Sequence, residues 1–202
     1  MSVCFLNSEY VLLSEAKVSV LDRGFIFGDA VYEVLPAFEG KFFALAQHLE
    51  RLNDNLKKVS IDPPYSSKEW GTLLATLSEK NGNSDLSFYI QVTRGVAERN
   101  HFFPMDCKPT VFVMCTSLKS SSSPLIKSCI TRSDNRWGRC DIKTTSLLPN
   151  LMLKNEALLS DAFEVILLKN GMLTEGASSN VFVVSKGRVK TPEVSNFILP
   201  GV

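Results

Sequence analysis

Three two-residue turn signals constrain this chain most: Glu39-Gly40, Asn170-Gly171 and Lys186-Gly187. A two-residue connection can join only antiparallel neighbours, so the strands beside each turn must run antiparallel. The first joins a run from Val31 to Phe38 with one from Lys41 to Leu45. The third lies between a strand read over Asn180 to Val184 and one ending near Thr191-Pro192. Between the hairpins the apolar period changes. Leu45, Leu49, Leu52, Leu56 and Val59 recur at helical spacing, which predicts a helix over about 46–59. A second helix is predicted from Ser67, turning Trp70, Leu73, Leu74 and Leu77 inward and stopping at Asn81-Gly82. Leu86, Phe88, Ile90 and Val92 then alternate with Ser87, Tyr89, Gln91 and Thr93, the mark of a half-buried strand. A loop from Arg94 to Cys107, an apolar strand over Thr110 to Thr116, strands near 125–131 and 138–144 and a helix opened by Pro149-Asn150 complete the reading. The expected class is α+β with mostly antiparallel strands.

At 202 residues the chain is long enough for one large or two small domains. The clearest composition break, Lys119 through four serines to Pro124, reads as a linker. It separates an N-terminal α/β domain (1–118) from a second domain (125–202). A net charge of +1 argues against the concentrated basic footprint that nucleic-acid binding or an electrostatic membrane anchor requires. No apolar run reaches the ~18 residues of a membrane span, and the N-terminus lacks the basic start of a signal peptide. Five cysteines without CxxC spacing read as reduced thiols in the cytoplasm. With only two histidines, neither beside a second ligand at metal spacing, no metal site is expected.

Against that background, four groups suggest chemistry. Lys143 stands among apolar and hydroxyl-bearing neighbours from Ile142 to Leu148, with no other cation within three residues. A desolvated lysine has a lowered pKa, and its free amine can attack an aldehyde. Glu175 precedes a small-residue turn, Gly176-Ala177-Ser178-Ser179-Asn180. Amine, carboxylate and turn are the parts needed to hold pyridoxal 5′-phosphate (PLP): a Schiff base, a partner for the ring nitrogen, and N–H donors for oxygen atoms. Arg51 follows His48 by three residues and shares its helix face, and a fixed guanidinium suits a phosphate dianion. Arg99-Asn100-His101 offers adjacent donors for a carboxylate. Each also has a plainer reading: an edge-strand lysine, a turn acid, an exposed helix pair, a polar loop.

Together these phrases resemble the fold-type IV PLP enzymes, the class IV aminotransferases, whose members include D-amino acid, branched-chain and aminodeoxychorismate-processing enzymes. The matching stretches are DRGFIFGDAVYEV (22–34), HLERL (48–52), RWGRCDIKTTSLLPNLMLKNEA (136–157), EVILLKNGMLTEGASSNVFVV (164–184) and SNFILPG (195–201), in order along almost the whole chain. The resemblance implies a two-domain fold in which Lys143 carries the cofactor and shuttles the substrate proton. Glu175 would pair with the ring nitrogen, Arg51 would bind the phosphate, Ser178 and Ser179 would line the cofactor, and Leu199 would pack on the ring. Tyr32 falls at the family's active-site tyrosine. The phrase FYIQVTRGVAERNHFFP (88–104) looks most like the D-amino acid transaminases. There the matching arginine and histidine trap the substrate carboxylate across a dimer interface, which implies that role for Arg99 and His101 and a homodimer. The implied reaction is D-alanine plus 2-oxoglutarate to pyruvate plus D-glutamate. The alternatives are a 4-amino-4-deoxychorismate lyase, a branched-chain L-aminotransferase and a non-catalytic remnant. Two departures stand out. Ala177 replaces a third serine, and relatives continue from LPG into a Thr-Arg phrase opening a phosphate-binding helix, so the second domain is expected to be incomplete at Val202.

Overall fold

The Glu39-Gly40 turn closes with both residues at positive φ (49° and 77°), the conformation that lets a two-residue loop follow the twist of its strands. It joins β3 (Ala30–Phe38) to β4 (Lys41–Phe42), which is shorter than the sequence suggests. The computed structural model describes residues 2–118 and 126–202, so the expected linker at 119–124 lies outside the described residues. Two compact units are present. The first comprises Met1–Ser120 with Lys143–Ser146 and Val202, and the second comprises Ser121–Ile142 with Leu147–Gly201.

The first unit holds a six-stranded sheet, with β1 (Val3–Leu6), β2 (Glu9–Leu12), β5 (Leu86–Thr93) and β6 (Thr110–Ser117) in the order β2-β1-β6-β5-β3-β4. Every neighbouring pair is antiparallel. Helices α2 (Leu45–Lys58) and α3 (Ser67–Lys80) supply its apolar cover, and both fall where the periodicity puts them. Leu49, Leu52 and Leu56 of α2 and Trp70, Leu73, Leu74 and Leu77 of α3 are buried. So are Val31, Leu35 and Ala37 of β3 and Phe88, Ile90 and Val92 of β5. Full burial of a large apolar side chain contributes about 1.5–3 kcal/mol, so this contiguous set dominates the unit's stability. A five-residue helix α1 (Arg23–Phe27) precedes β3, N-capped by Asp22, whose side chain accepts from Gly24 N.

The second unit has a three-stranded sheet, β7 (Cys129–Ser133), β8 (Glu164–Lys169) and β9 (Met172–Gly176), in that order. Helix α4 (Leu148–Leu159) packs on β8 through Leu153, Ala157, Val165 and Leu167. β7 and β8 are parallel, an exception to the antiparallel expectation. A helix lies between them in sequence, and a long crossover lets two strands run the same way. The Asn170-Gly171 hairpin joins β8 to β9, and Lys186-Gly187 joins β10 (Val183–Ser185) to β11 (Arg188–Lys190). The strand expected at 138–144 does not form. Ile142 N instead donates to Arg139 O in a turn, and Thr144 makes only an isolated bridge, to Val31.

Candidate active site

That bridge explains how Lys143 is held. Because β4 is two residues long, it pairs only with Ala37 and Phe38. The other end of the same β3 edge is left to Lys143–Thr145. Tyr32 N donates to Lys143 O (2.9 Å) and Thr145 N to Ala30 O (3.2 Å), while Thr144 Oγ1 donates to Ala30 O (2.9 Å). On the other side, Lys143 N donates to Asn55 Oδ1 (2.9 Å), and Asn55 Nδ2 donates to Arg51 O (2.6 Å). The lysine backbone is therefore fixed from two directions before its side chain does anything. Gly28 helps set this strand: its φ is +66°, and a Cβ there would collide with Ser146 Oγ. The Lys143 amine lies 4.4 Å from the centroid of the Tyr32 ring.

Tyr32 stacks on Tyr89 with centroids 5.6 Å apart. Burial, and then the nearby Glu33 charge, push its phenol above the ordinary range, while Arg51 opposes them. Tyr32 is thus a neutral O–H donor at physiological pH. Glu33 itself has no solvent exposure and sits in the inward phase of β3 among Val31, Leu35 and Ala37. Two atoms of Arg51 donate to it, Nε to Oε2 (2.8 Å) and Nη2 to Oε1 (2.6 Å), and His48 Nδ1 lies 3.2 Å from Oε1. The shared helix face of His48 and Arg51 therefore meets a buried carboxylate, which aims the guanidinium.

Arg99 and His101 are exposed on the loop after β5. They converge on one aromatic ring: the Arg99 guanidinium lies 5.3 Å from the Phe27 centroid and the His101 ring 5.7 Å from it.

In the second unit Glu175 is buried near the end of β9. Arg136 Nη1 donates to Oε1 (2.5 Å), and Leu199 N donates to Oε2 (2.9 Å). Asn180 Nδ2 also reaches Oε2 (3.4 Å) and ties down Leu199 O (2.9 Å). Burial pushes the Glu175 carboxyl upward, and Arg136 with the Leu199 N–H opposes this by favouring the anion. Arg136 also grips Asp134 through Nε (3.0 Å) and Nη2 (2.8 Å). Ser178 and Ser179 direct their hydroxyls to Glu164 Oε2 (2.8 and 3.0 Å).

The donor set fits PLP. Lys143 brings a primary amine on an immobilised backbone, and Glu175 is a buried carboxylate whose anion is held by a guanidinium, as a protonated ring nitrogen requires. Glu33, Asn55, Asp134 and Arg136 are supporting residues that sequence reasoning does not single out. Only the first carries a signal, a charge at an inward position of an alternating strand.

Each of these groups suits PLP chemistry, and known proteins resembling this chain belong to one family of such enzymes. Residues 30–202 match the family described as amino-transferase class IV, and the chain belongs to that family. It is 39% identical over 205 residues to a D-alanine aminotransferase of Staphylococcus epidermidis, covering all of this chain and 73% of that protein. A Bacillus licheniformis D-alanine aminotransferase is 38% identical over 204 residues, with coverages of 100% and 72%. Among solved structures, the branched-chain aminotransferase of Thermoproteus uzoniensis with norvaline superposes with a TM-score of 0.86 at 24% identity, covering 100% of this chain and 71% of that one. A PLP-bound hypothetical aminotransferase from Mycobacterium tuberculosis gives 0.82 at 18%, covering 99% and 74%. At such identities the structural likeness establishes the fold, which is that of the fold-type IV transaminases.

Proposed function

We propose that this chain is a PLP-dependent D-amino acid transaminase that passes the amino group of D-alanine to a 2-oxo acid such as 2-oxoglutarate. The observation that carries the reading is its whole-length similarity to D-alanine aminotransferases. When bound, PLP supplies an aldehyde that takes the amino group and a ring that absorbs the electrons of the breaking Cα–H bond. Lys143 would hold the cofactor through its amine, and the same amine would serve as the base and acid that moves the substrate Cα proton. Glu175, backed by Arg136, faces the ring nitrogen as an anion. Arg51, aimed by Glu33, meets the phosphate, with Ser178, Ser179 and Leu199 lining the cofactor. Tyr32, Arg99 and His101 bind the substrate carboxylate. A homodimer is the assembly proposed. The cytoplasm is the proposed location, supported by five free cysteines.

The test is direct. Purified chain with PLP, D-alanine and 2-oxoglutarate is expected to release pyruvate and D-glutamate, and Lys143→Ala to release neither. Turnover of L-leucine but not D-alanine would overturn the assignment, as would 4-aminobenzoate release from aminodeoxychorismate without an acceptor. A Lys143→Ala protein working at the parental rate would overturn the mechanism.

A further inference from the structure

Behind the loop that carries Arg99 and His101 lies a three-charge cluster in the first unit. Asp29 accepts from Arg23 Nε (2.8 Å) and from Arg94 Nε (2.7 Å) and Nη2 (2.9 Å). Both guanidiniums are nearly sealed from solvent, with side-chain exposures of 4% and 7%. Arg94 uses its remaining reach on the chain after α2, donating to Ser60 O (2.8 Å) and Val59 O (2.7 Å). Its guanidinium also stacks 3.6 Å from the Phe103 centroid. Arg23 turns the other way. Its Nη1 donates to Asn100 O (2.7 Å), the carbonyl between the two carboxylate-binding candidates. Its Cζ lies 4.8 Å from the centroid of Phe27, the ring that Arg99 and His101 also approach. Asn100 Oδ1 in turn accepts from Phe102 N (3.2 Å), which turns the loop at that point.

We infer that Arg23 is a positioning residue for substrate recognition: by holding the Asn100 carbonyl while anchored on Asp29, it fixes where Arg99 and His101 stand. The inference rests on the transaminase reading above. Arginine is required because one planar fork must serve a carboxylate and a carbonyl at once, which an ammonium cannot do with the same geometry. The charge state supports the clasp. Burial alone would raise the Asp29 carboxyl, but hydrogen bonds from Arg94 and Arg23 hold it below its ordinary value, so the anchor is an anion at working pH. A misplaced Arg99 and His101 would weaken binding of the D-amino acid while leaving Lys143 where it is, since Lys143 is fixed by Asn55 and Tyr32.

The experiment compares the parental chain with Arg23→Lys, Arg23→Ala, Arg99→Ala and the Arg23→Ala/Arg99→Ala double variant. Both Arg23 variants are expected to raise KM for D-alanine about 10-fold or more with kcat within about three-fold, because binding geometry is lost and proton transfer is not. On the Arg99→Ala background, Arg23→Ala should add less than about three-fold, the mark of two residues acting as one unit. Amide hydrogen exchange gives a readout independent of activity: Asn100 to Phe103 should lose protection in Arg23→Lys while β5 and β6 keep theirs. Fully multiplying KM effects, an unchanged KM with a fallen kcat, or parental exchange in the loop would each overturn the inference. A parental chain without D-alanine turnover would instead refute the proposed function, and exchange alone would then decide whether Arg23 holds the loop.

Discussion

Arg136 carries the second unit's buried charge, and replacing it with methionine isolates what that charge does. Its guanidinium has 4% side-chain exposure and bonds two carboxylates, Asp134 at 1% and Glu175 at 7%. Methionine roughly fills the space but leaves two buried anions without their shared cation. Removing one partner of a buried pair costs about 3–5 kcal/mol. Part of each anion remains solvated by other donors: Asp134 keeps Thr174 Oγ1 (2.9 Å), and Glu175 keeps Leu199 N (2.9 Å). The lower end, about 3 kcal/mol, is therefore expected, which lowers Tm by roughly 6–12 °C at about 2–4 °C per kcal/mol. The pH dependence has a definite sign. Arg136 is what opposes the burial-driven rise of Glu175, so its loss raises that carboxyl further. A carboxyl raised in the folded state gives stability that is present at low pH and lost as pH rises through its folded value. The Arg136→Met deficit should therefore shrink on acidification, by about 1.4 kcal/mol per pH unit below the variant's raised value until the parental Glu175 carboxyl, itself held above its ordinary value, also protonates. Urea unfolding of both proteins between pH 8 and pH 5 measures this. A deficit that stays constant or grows on acidification, or one under about 1 kcal/mol at pH 8, would refute the reasoning.

Two further outcomes follow from the first unit. Asp29→Asn should cost about 3 kcal/mol at pH 6, where the buried anion is paired. Because the Asp29 carboxyl is held below its ordinary 3.8, that advantage is present above 3.8 and lost as pH falls through the lower folded value, so urea midpoints of the two proteins should converge toward pH 3. Asn55→Ala removes the acceptor of the Lys143 N–H in a buried setting, at about 1–3 kcal/mol. It should also lower kcat more than it raises KM, and a stopped-flow half-reaction with D-alanine checks the split.

The architecture is legible in sequence where a local rule governs it. Each two-residue turn has a glycine at its second positive-φ position, and α2 and α3 follow the spacing of their leucines and Trp70. The segment 138–144 reads as a strand because its apolar and polar residues alternate as a strand's do. The β3 edge from Ala30 to Pro36 is left open by short β4, but the segment turns back on itself where Ile142 N donates to Arg139 O, so only its last residues reach that edge and make a bridge and not a ladder. The parallel β7–β8 pair escapes the sequence for a related reason: hairpin turns announce antiparallel neighbours, whereas a crossover announces nothing at its ends.

The proposed reacting groups and the groups that hold them differ in how they show in sequence. Lys143 and Glu175 stand in short phrases with neighbours suited to PLP chemistry, but each also reads as an edge-strand lysine or a turn acid, and it is the family resemblance of the longer stretches that singles them out. Glu33 and Arg136 act through partners 18 and 39 positions away. Spacing along one element cannot pair them. What can be seen locally is a violation: an acid in the inward row of an otherwise apolar strand must find a cation or lose several kcal/mol. Glu33 is such a violation, and its cation has to come from the helix covering that row. On α2 only one guanidinium exists, Arg51, and it is the one the structure brings to Glu33. The same rule gives Glu33 its task, which is to aim the proposed phosphate-binding arginine.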